Sequence, residues 1–161
     1  MAMVTTTAVK VVRAAVEEAR ELRSRVVGQE HVLLALQRHP DCDAMAVLRA
    51  LGLDVGLSTL KLWITPGAEP AAMPAATPRL RKALEEAASE AAGHDRATTS
   101  ADLLVGILRA EIGVGYQLLR SAGVSLSAVR EAMTKLADPR GELHDVVDTT
   151  PVAILEEGTQ A

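Results

Sequence analysis

The chain has no phenylalanine, and Trp63 and Tyr116 are its only aromatic residues. An aromatic core is excluded, so Leu, Val, Ile, Met and Ala must fill the interior. Side chains of that size let helices approach closely, which favours an all-α packing. Cys42 stands alone, so no intrachain disulfide can form, as suits a reducing compartment. No apolar run approaches the ~20 residues that a membrane helix needs. The start, MAMVTTTAVK, lacks the charged beginning and apolar stretch of a secretory signal. The expected location is therefore the cytoplasm. A basic stripe is also missing. Up to Leu136 there are 16 basic and 15 acidic residues, and beyond it six acidic residues and Arg140. The net charge of −4 thus belongs to the tail, and the body offers nothing suited to a nucleic-acid backbone.

What is present is a repeat. Residues 28–62 align without a gap on residues 99–133, at a shift of 71 that sets Gly52 against Gly123. Leu33 then meets Leu104, Leu36 meets Ile107, Arg38 meets Arg109, Leu48 meets Leu119 and Leu53 meets Val124. Apolar positions keep their character while polar ones drift. Two copies of one helical unit, each covering the apolar face of the other, explain this better than a solenoid. With 48% hydrophobic residues the chain can bury a real core.

Helix signals recur in both copies. Thr5, Thr6 and Thr7 can cap a first helix with Val9, Val12, Val16 and Ala19 on one face. Gly28 suggests a positive-φ turn before a second helix carrying Val32, Leu33 and Leu36 inward. A third helix at 44–51 stops at Gly52, and Asp54 caps a short fourth with Leu57, Leu60 and Leu62. Residues 65–77, TPGAEPAAMPAAT, read as a linker with no strand signal. Pro78 opens the second copy; Thr99 or Ser100 and then Ser125 cap its later helices. The expected division is a first repeat at 1–64, the linker, a second repeat at 78–136, and an acidic, flexible tail at 137–161. Within that tail 152–155 is the one sticky spot, able to lay a short ordered piece on the body.

Gly28-Gln29-Glu30-His31 followed by VLLAL, then Thr77-Pro78-Arg79, then LGLD at 51–54 and AGVS at 122–125 carry a resemblance. In order and spacing they resemble the Clp N-terminal domain, or Clp repeat domain, of Clp-type AAA+ unfoldases, the ClpC branch most of all. The likeness covers about residues 5–136. It implies an all-α double four-helix repeat, eight helices in two pseudo-symmetric units, that binds substrates and adaptors. In that branch the glutamates of the Glu-His pairs resemble receptors for phosphorylated arginine. Here Glu30 remains, while Ala101 and Asp102 replace the second pair, and Val4 and Ala76 stand where the family has phenylalanine. No G-x-x-x-x-G-K-[ST] loop is present, so ATP hydrolysis by that route is not expected, and the chain reads as a stand-alone repeat domain.

Glu30 opens a helix, where a carboxylate either caps exposed N–H groups or clamps a guanidinium. It is expected to be exposed. His31 fits a packed structural histidine, since no second metal ligand lies at helical spacing. Cys42, between Asp41 and Asp43, should be a dull nucleophile because neighbouring carboxylates raise its pKa. The seam between the first helices of the two copies holds Val12 and Val16 on one side and Arg81, Leu84 and Glu85 on the other. It is either a peptide groove or ordinary inter-repeat core. No catalytic constellation, cofactor site or metal site is expected. The expected function is a non-catalytic protein- or peptide-binding accessory or decoy of a Clp protease. The alternatives are sequestration of a cyclic-peptide toxin aimed at the unfoldase, and a structural subunit of the protease. The partners are Clp subunits, adaptors or substrate peptides, with no nucleic acid and no membrane.

Overall fold

The computed structural model describes residues 2–53, 64, 67, 73–136 and 141–159. These form α1 (Thr6–Glu21), α2 (Gln29–Leu36), α3 (Asp43–Ala50), α4 (Pro78–Gly93), α5 (Ser100–Ala110), α6 (Val114–Ser121), α7 (Leu126–Lys135) and α8 (Pro151–Gly158). Four short strands join them: β1 (Met3–Thr5), β2 (Val26–Val27), β3 (Ala75–Ala76) and β4 (Val146–Asp148). The fold is all-α, as the periodicity required. The expected fourth helix of the first copy lies outside the described residues, and α8 comes from the tail.

The two copies obey one set of local rules. Thr5 Oγ1 accepts from the Ala8 N–H at 3.1 Å, and Thr77 Oγ1 accepts from the Leu80 N–H at 3.1 Å. Each satisfies a donor that the first turn of a helix leaves without an intrahelical partner. After the third helix of each copy, Gly52 (φ 74°) and Gly123 (φ 83°) take the left-handed conformation. The next N–H then donates back, Leu53 to the Leu48 carbonyl at 2.8 Å and Val124 to the Leu119 carbonyl at 2.9 Å. Buried glutamates repeat as well. Glu18 of α1 accepts from Arg38 at 2.7 Å, and Glu90 of α4 accepts from Arg109 at 3.1 Å.

The copies also exchange backbone bonds reciprocally. The lead-in to α1 pairs with the lead-in to α5, Thr5 N–H donating to the Thr98 carbonyl and Thr98 N–H to the Met3 carbonyl, both at 2.9 Å. The lead-in to α4 pairs with the lead-in to α2, Ala75 N–H to the Arg25 carbonyl at 2.9 Å and Thr77 N–H to the Val27 carbonyl at 3.0 Å. First-helix entry meets second-helix entry in both directions, which is an approximate twofold. It also makes β3 a strand, where the proline-rich segment had given no strand signal: two alanines suffice once the partner edge is supplied from elsewhere. Leu33, Leu36, Leu48, Leu80, Leu84, Leu103, Leu104 and Ile107 fill the shared core. At Gly106 an added Cβ would lie 2.1 Å from the Ala83 carbonyl oxygen, so α4 and α5 meet almost backbone to backbone.

Candidate functional site

The seam is filled by the chain itself. Helix α8 packs on both α1 and α4. Thr150 caps it, accepting from the Ala153 N–H at 3.1 Å, and Pro151 stands in its first turn. Pro151, Ile154 and Leu155 turn inward and are buried. Burying each of the two aliphatic side chains is worth roughly 1.5–3 kcal/mol. Glu156 and Glu157 stay exposed and reach opposite walls, Glu156 to Arg81 of α4 at 2.5 Å and Glu157 to Arg13 of α1 at 3.3 Å. Exposed pairs of this kind contribute about 0–1 kcal/mol each, so they orient the helix more than they hold it. Arg20 donates to the Gly158 carbonyl at 3.3 Å, placing a cation on the C-terminal end of α8. An added Cβ on Gly158 would lie 3.1 Å from a Val16 methyl, a close seat for the end of the helix. Alongside α8 runs a cleft of about 570 Å³ lined by Lys10, Arg13, Arg20, Arg38, Ile154 and Glu157, among others.

Of the residues expected to line the seam, Val12, Val16 and Leu84 are buried in the core and present no free surface. Arg81 is half-buried and paired with the tail, and Glu85 is exposed on α4. The seam is therefore core below and tail-covered above.

A second tail contact was not legible in the sequence. Glu142, in a short 3-10 turn (Glu142–His144), places its carboxylate where three helices begin. It accepts from the Ser100 N–H at 2.7 Å, the Asp43 N–H at 2.7 Å and the Thr5 hydroxyl at 2.9 Å, and from the Ser100 hydroxyl. A carboxylate on two helix N-termini is favoured by the exposed donors and by both helix dipoles. Strand β4 then lies antiparallel on β1, Val4 opposite Val147. The apolar patch at 152–155 was the one sequence signal for α8. Nothing local marked Glu142, because its partners lie 42, 99 and 137 positions away.

Glu30 is not exposed as expected; its side chain keeps 18% of its accessible surface. It folds back over Gly28, where an added Cβ would lie 1.8 Å from Oε1. Burial raises its pKa, against a backbone hydrogen bond that lowers it. Gly28 itself is extended (φ −119°), not the positive-φ turn expected, and the space it leaves is taken by Glu30. His31 is buried, and its Nδ1 accepts from the Gly28 N–H at 2.9 Å. Burial lowers its pKa to about 4, the Glu18 charge opposing. At the matching position of the second copy Asp102 accepts from the Thr99 N–H at 2.8 Å and pairs with Arg96. His31 and Asp102 thus do the same capping work with different chemistry. Cys42 is buried as the residue preceding α3, and burial, with Glu142 adding, raises its pKa. The flanking aspartates expected to do this are not the cause. Among the described residues no group of three His, Cys, Asp or Glu could hold a metal ion. No helix among them is long and apolar enough to cross a membrane.

Residues 3–72 match the Clp repeat (R) N-terminal domain family. The Clp repeat match spans the first copy and most of the linker. The fold is similar to that of the Hsp104 N-terminal domain from Candida albicans, with a TM-score of 0.70 at 13% identity over 86% of this chain and 93% of that one. It is also similar to the N-terminal domain of the caseinolytic protease associated chaperone ClpD from Arabidopsis thaliana. There the TM-score is 0.59 at 17% identity, over 84% of this chain and 97% of that one. No curated protein matches the sequence.

Proposed function

We propose that this protein is a non-catalytic binding module for proteins or peptides, acting beside a Clp protease as an accessory or decoy. The observation that carries this reading is the seam, which takes a peptide segment of acidic, amphipathic character onto its two first helices. Support comes from the Clp repeat match and from the likeness to N-domains of Hsp104 and ClpD. ClpC-type recognition of phosphorylated arginine would fall to Glu30, after its side chain swings off Gly28.

The test is calorimetric titration of the purified chain with Clp unfoldase, with Clp protease subunits, with an arginine-phosphorylated protein and with a Clp-directed cyclic peptide. Binding to the unfoldase, its adaptors or its substrates supports the accessory or decoy reading. Binding to the cyclic peptide alone would replace it with toxin sequestration, and binding to the protease core alone with a structural subunit. No binding in any arm, or turnover of a nucleotide or peptide bond by the chain, overturns it.

A further inference from the structure

We propose that the surface between α1 and α4 is a docking site for an acidic amphipathic helix of another protein, and that α8 occupies that site in cis as a competitor. This rests on the binding-module reading and adds to it the ligand class and a means of regulation.

Three independent observations point the same way. First, α8 belongs to neither repeat. The reciprocal pairing of helix lead-ins unites the copies through α1–α7, and α8 closes the core at the seam with Ile154 and Leu155. Second, its chemistry is that of a ligand matched to a receptor. Pro151, Ile154 and Leu155 form its buried face, while Glu156 and Glu157 reach Arg81 and Arg13 on opposite walls. The charge asymmetry of the sequence follows the same division, with most of the excess acid in the tail and the balanced body carrying the arginines. Third, the cationic rim is longer than α8 uses. Beyond Arg13 and Arg20, which α8 already meets, Lys10 lines the adjoining cleft, so an incoming helix with more acid beyond its apolar face would meet one further positive charge.

Tethering sets the competition. A segment joined to its own site acts at an effective concentration on the order of millimolar, so a partner must outbind it or arrive when the tail is pulled away. Glu142 and the β1–β4 pair hold the base of the tail, so α8 can leave while the tail stays attached.

The experiment uses full-length protein and a fluorescein-labelled peptide, TTPVAILEEGTQ, the sequence of residues 149–160. The parent chain should bind the peptide weakly. Full-length Ile154→Asp, which dislodges α8, should bind it at least about tenfold tighter, as removal of a tethered competitor demands. Adding Arg81→Glu should cut the gain severalfold, and a peptide with Lys in place of Glu156 should restore it. Circular dichroism reports whether Ile154→Asp folds. If it does not, full-length Arg13→Glu/Arg81→Glu is used instead, and faster hydrogen exchange confined to α8, together with binding of the charge-swapped peptide, is expected. A folded variant that binds no better than the parent, or a gain indifferent to Arg81→Glu, overturns the inference. So does a concentration-dependent dimer of the parent chain in light scattering, which would make the occupant a second copy. Binding of Clp partners without binding of the tail peptide sinks this inference alone; the reverse result sinks only the Clp assignment.

Discussion

Gln29 and Ser100 stand 71 positions apart, and each caps a helix of the opposite repeat. The Tyr116 N–H donates to Gln29 Oε1 at 3.0 Å, and the Ala44 N–H donates to Ser100 Oγ at 2.9 Å. Each side chain leaves its own unit to satisfy the third helix of the other. Gln29 also donates to the Arg79 carbonyl at 3.2 Å and the Ile112 carbonyl at 2.9 Å. Gly113 and Gly115 make room for it, since a Cβ on either would lie within 2.4–2.6 Å of its side chain.

Gln29→Ala should therefore be costly. It leaves one N–H and two carbonyls at the repeat interface without their partner, at ~1–3 kcal/mol for each group that water cannot reach. Urea unfolding followed by circular dichroism should show a loss of about 2 kcal/mol or more. A change within about 0.5 kcal/mol, the range of ordinary surface substitutions, would mean the cross-repeat bonds carry little weight.

Glu142→Ala should loosen the tail and the entries of α3 and α5 together. The expected cost is about 1–3 kcal/mol, the scale of charge-assisted bonds to a carboxylate. The amides of Asp43 and Ser100 should exchange faster, because both lose their acceptor. Unchanged exchange at both would contradict the bridging role.

Stability should fall in mild acid because of His31. Its folded pKa of about 4 lies below the ordinary 6.5, so the folded state resists the proton that the unfolded state accepts. The contribution is complete above about pH 6.5 and is lost as pH falls toward 4, by roughly 3 kcal/mol in all. Glu90, lowered by its hydrogen bonds from Arg130, acts in the same direction below about pH 4.5. Glu30, raised by burial, acts oppositely: its charge penalty is relieved as pH falls through its folded pKa. His31→Gln keeps an acceptor for the Gly28 N–H and should flatten the limb between pH 6.5 and 4. A stability profile identical to that of the parent would refute the assignment.

Gly106→Ala should destabilise, although alanine is the better helix former by nearly 1 kcal/mol. The new methyl would meet the Ala83 carbonyl oxygen and Ala87 of α4, backbone that cannot step aside cheaply. A net loss of about 1–3 kcal/mol is expected from overpacking. The first copy holds Ala35, fully buried, at the matching position, so Ala35→Gly should cost about 2 kcal/mol, from the propensity difference and the lost burial of one methyl. A raised denaturation midpoint for Gly106→Ala would argue against the close α4–α5 approach.

Helices, caps and the duplication could be read from the sequence because they are local. Apolar spacing at 3.6 residues, a threonine or serine before five of the eight described helices and a glycine after the third helix act within a few residues of themselves. They determined an all-α chain written twice. The candidate site was only half legible, for a physical reason. Val12, Val16 and Leu84 show as apolar whether they line a groove or fill a core, and burial is decided by what arrives from elsewhere. Glu30 looked like an exposed carboxylate, and only the fold turns it back over Gly28. The tail was acidic and proline-broken, with a four-residue sticky patch that by itself stabilises nothing. Tertiary structure alone brought Arg13 and Arg81 to either side of that patch and three helix starts to Glu142. Long-range pairs leave no periodic trace in a chain, whereas periodicity needs no partner to be seen.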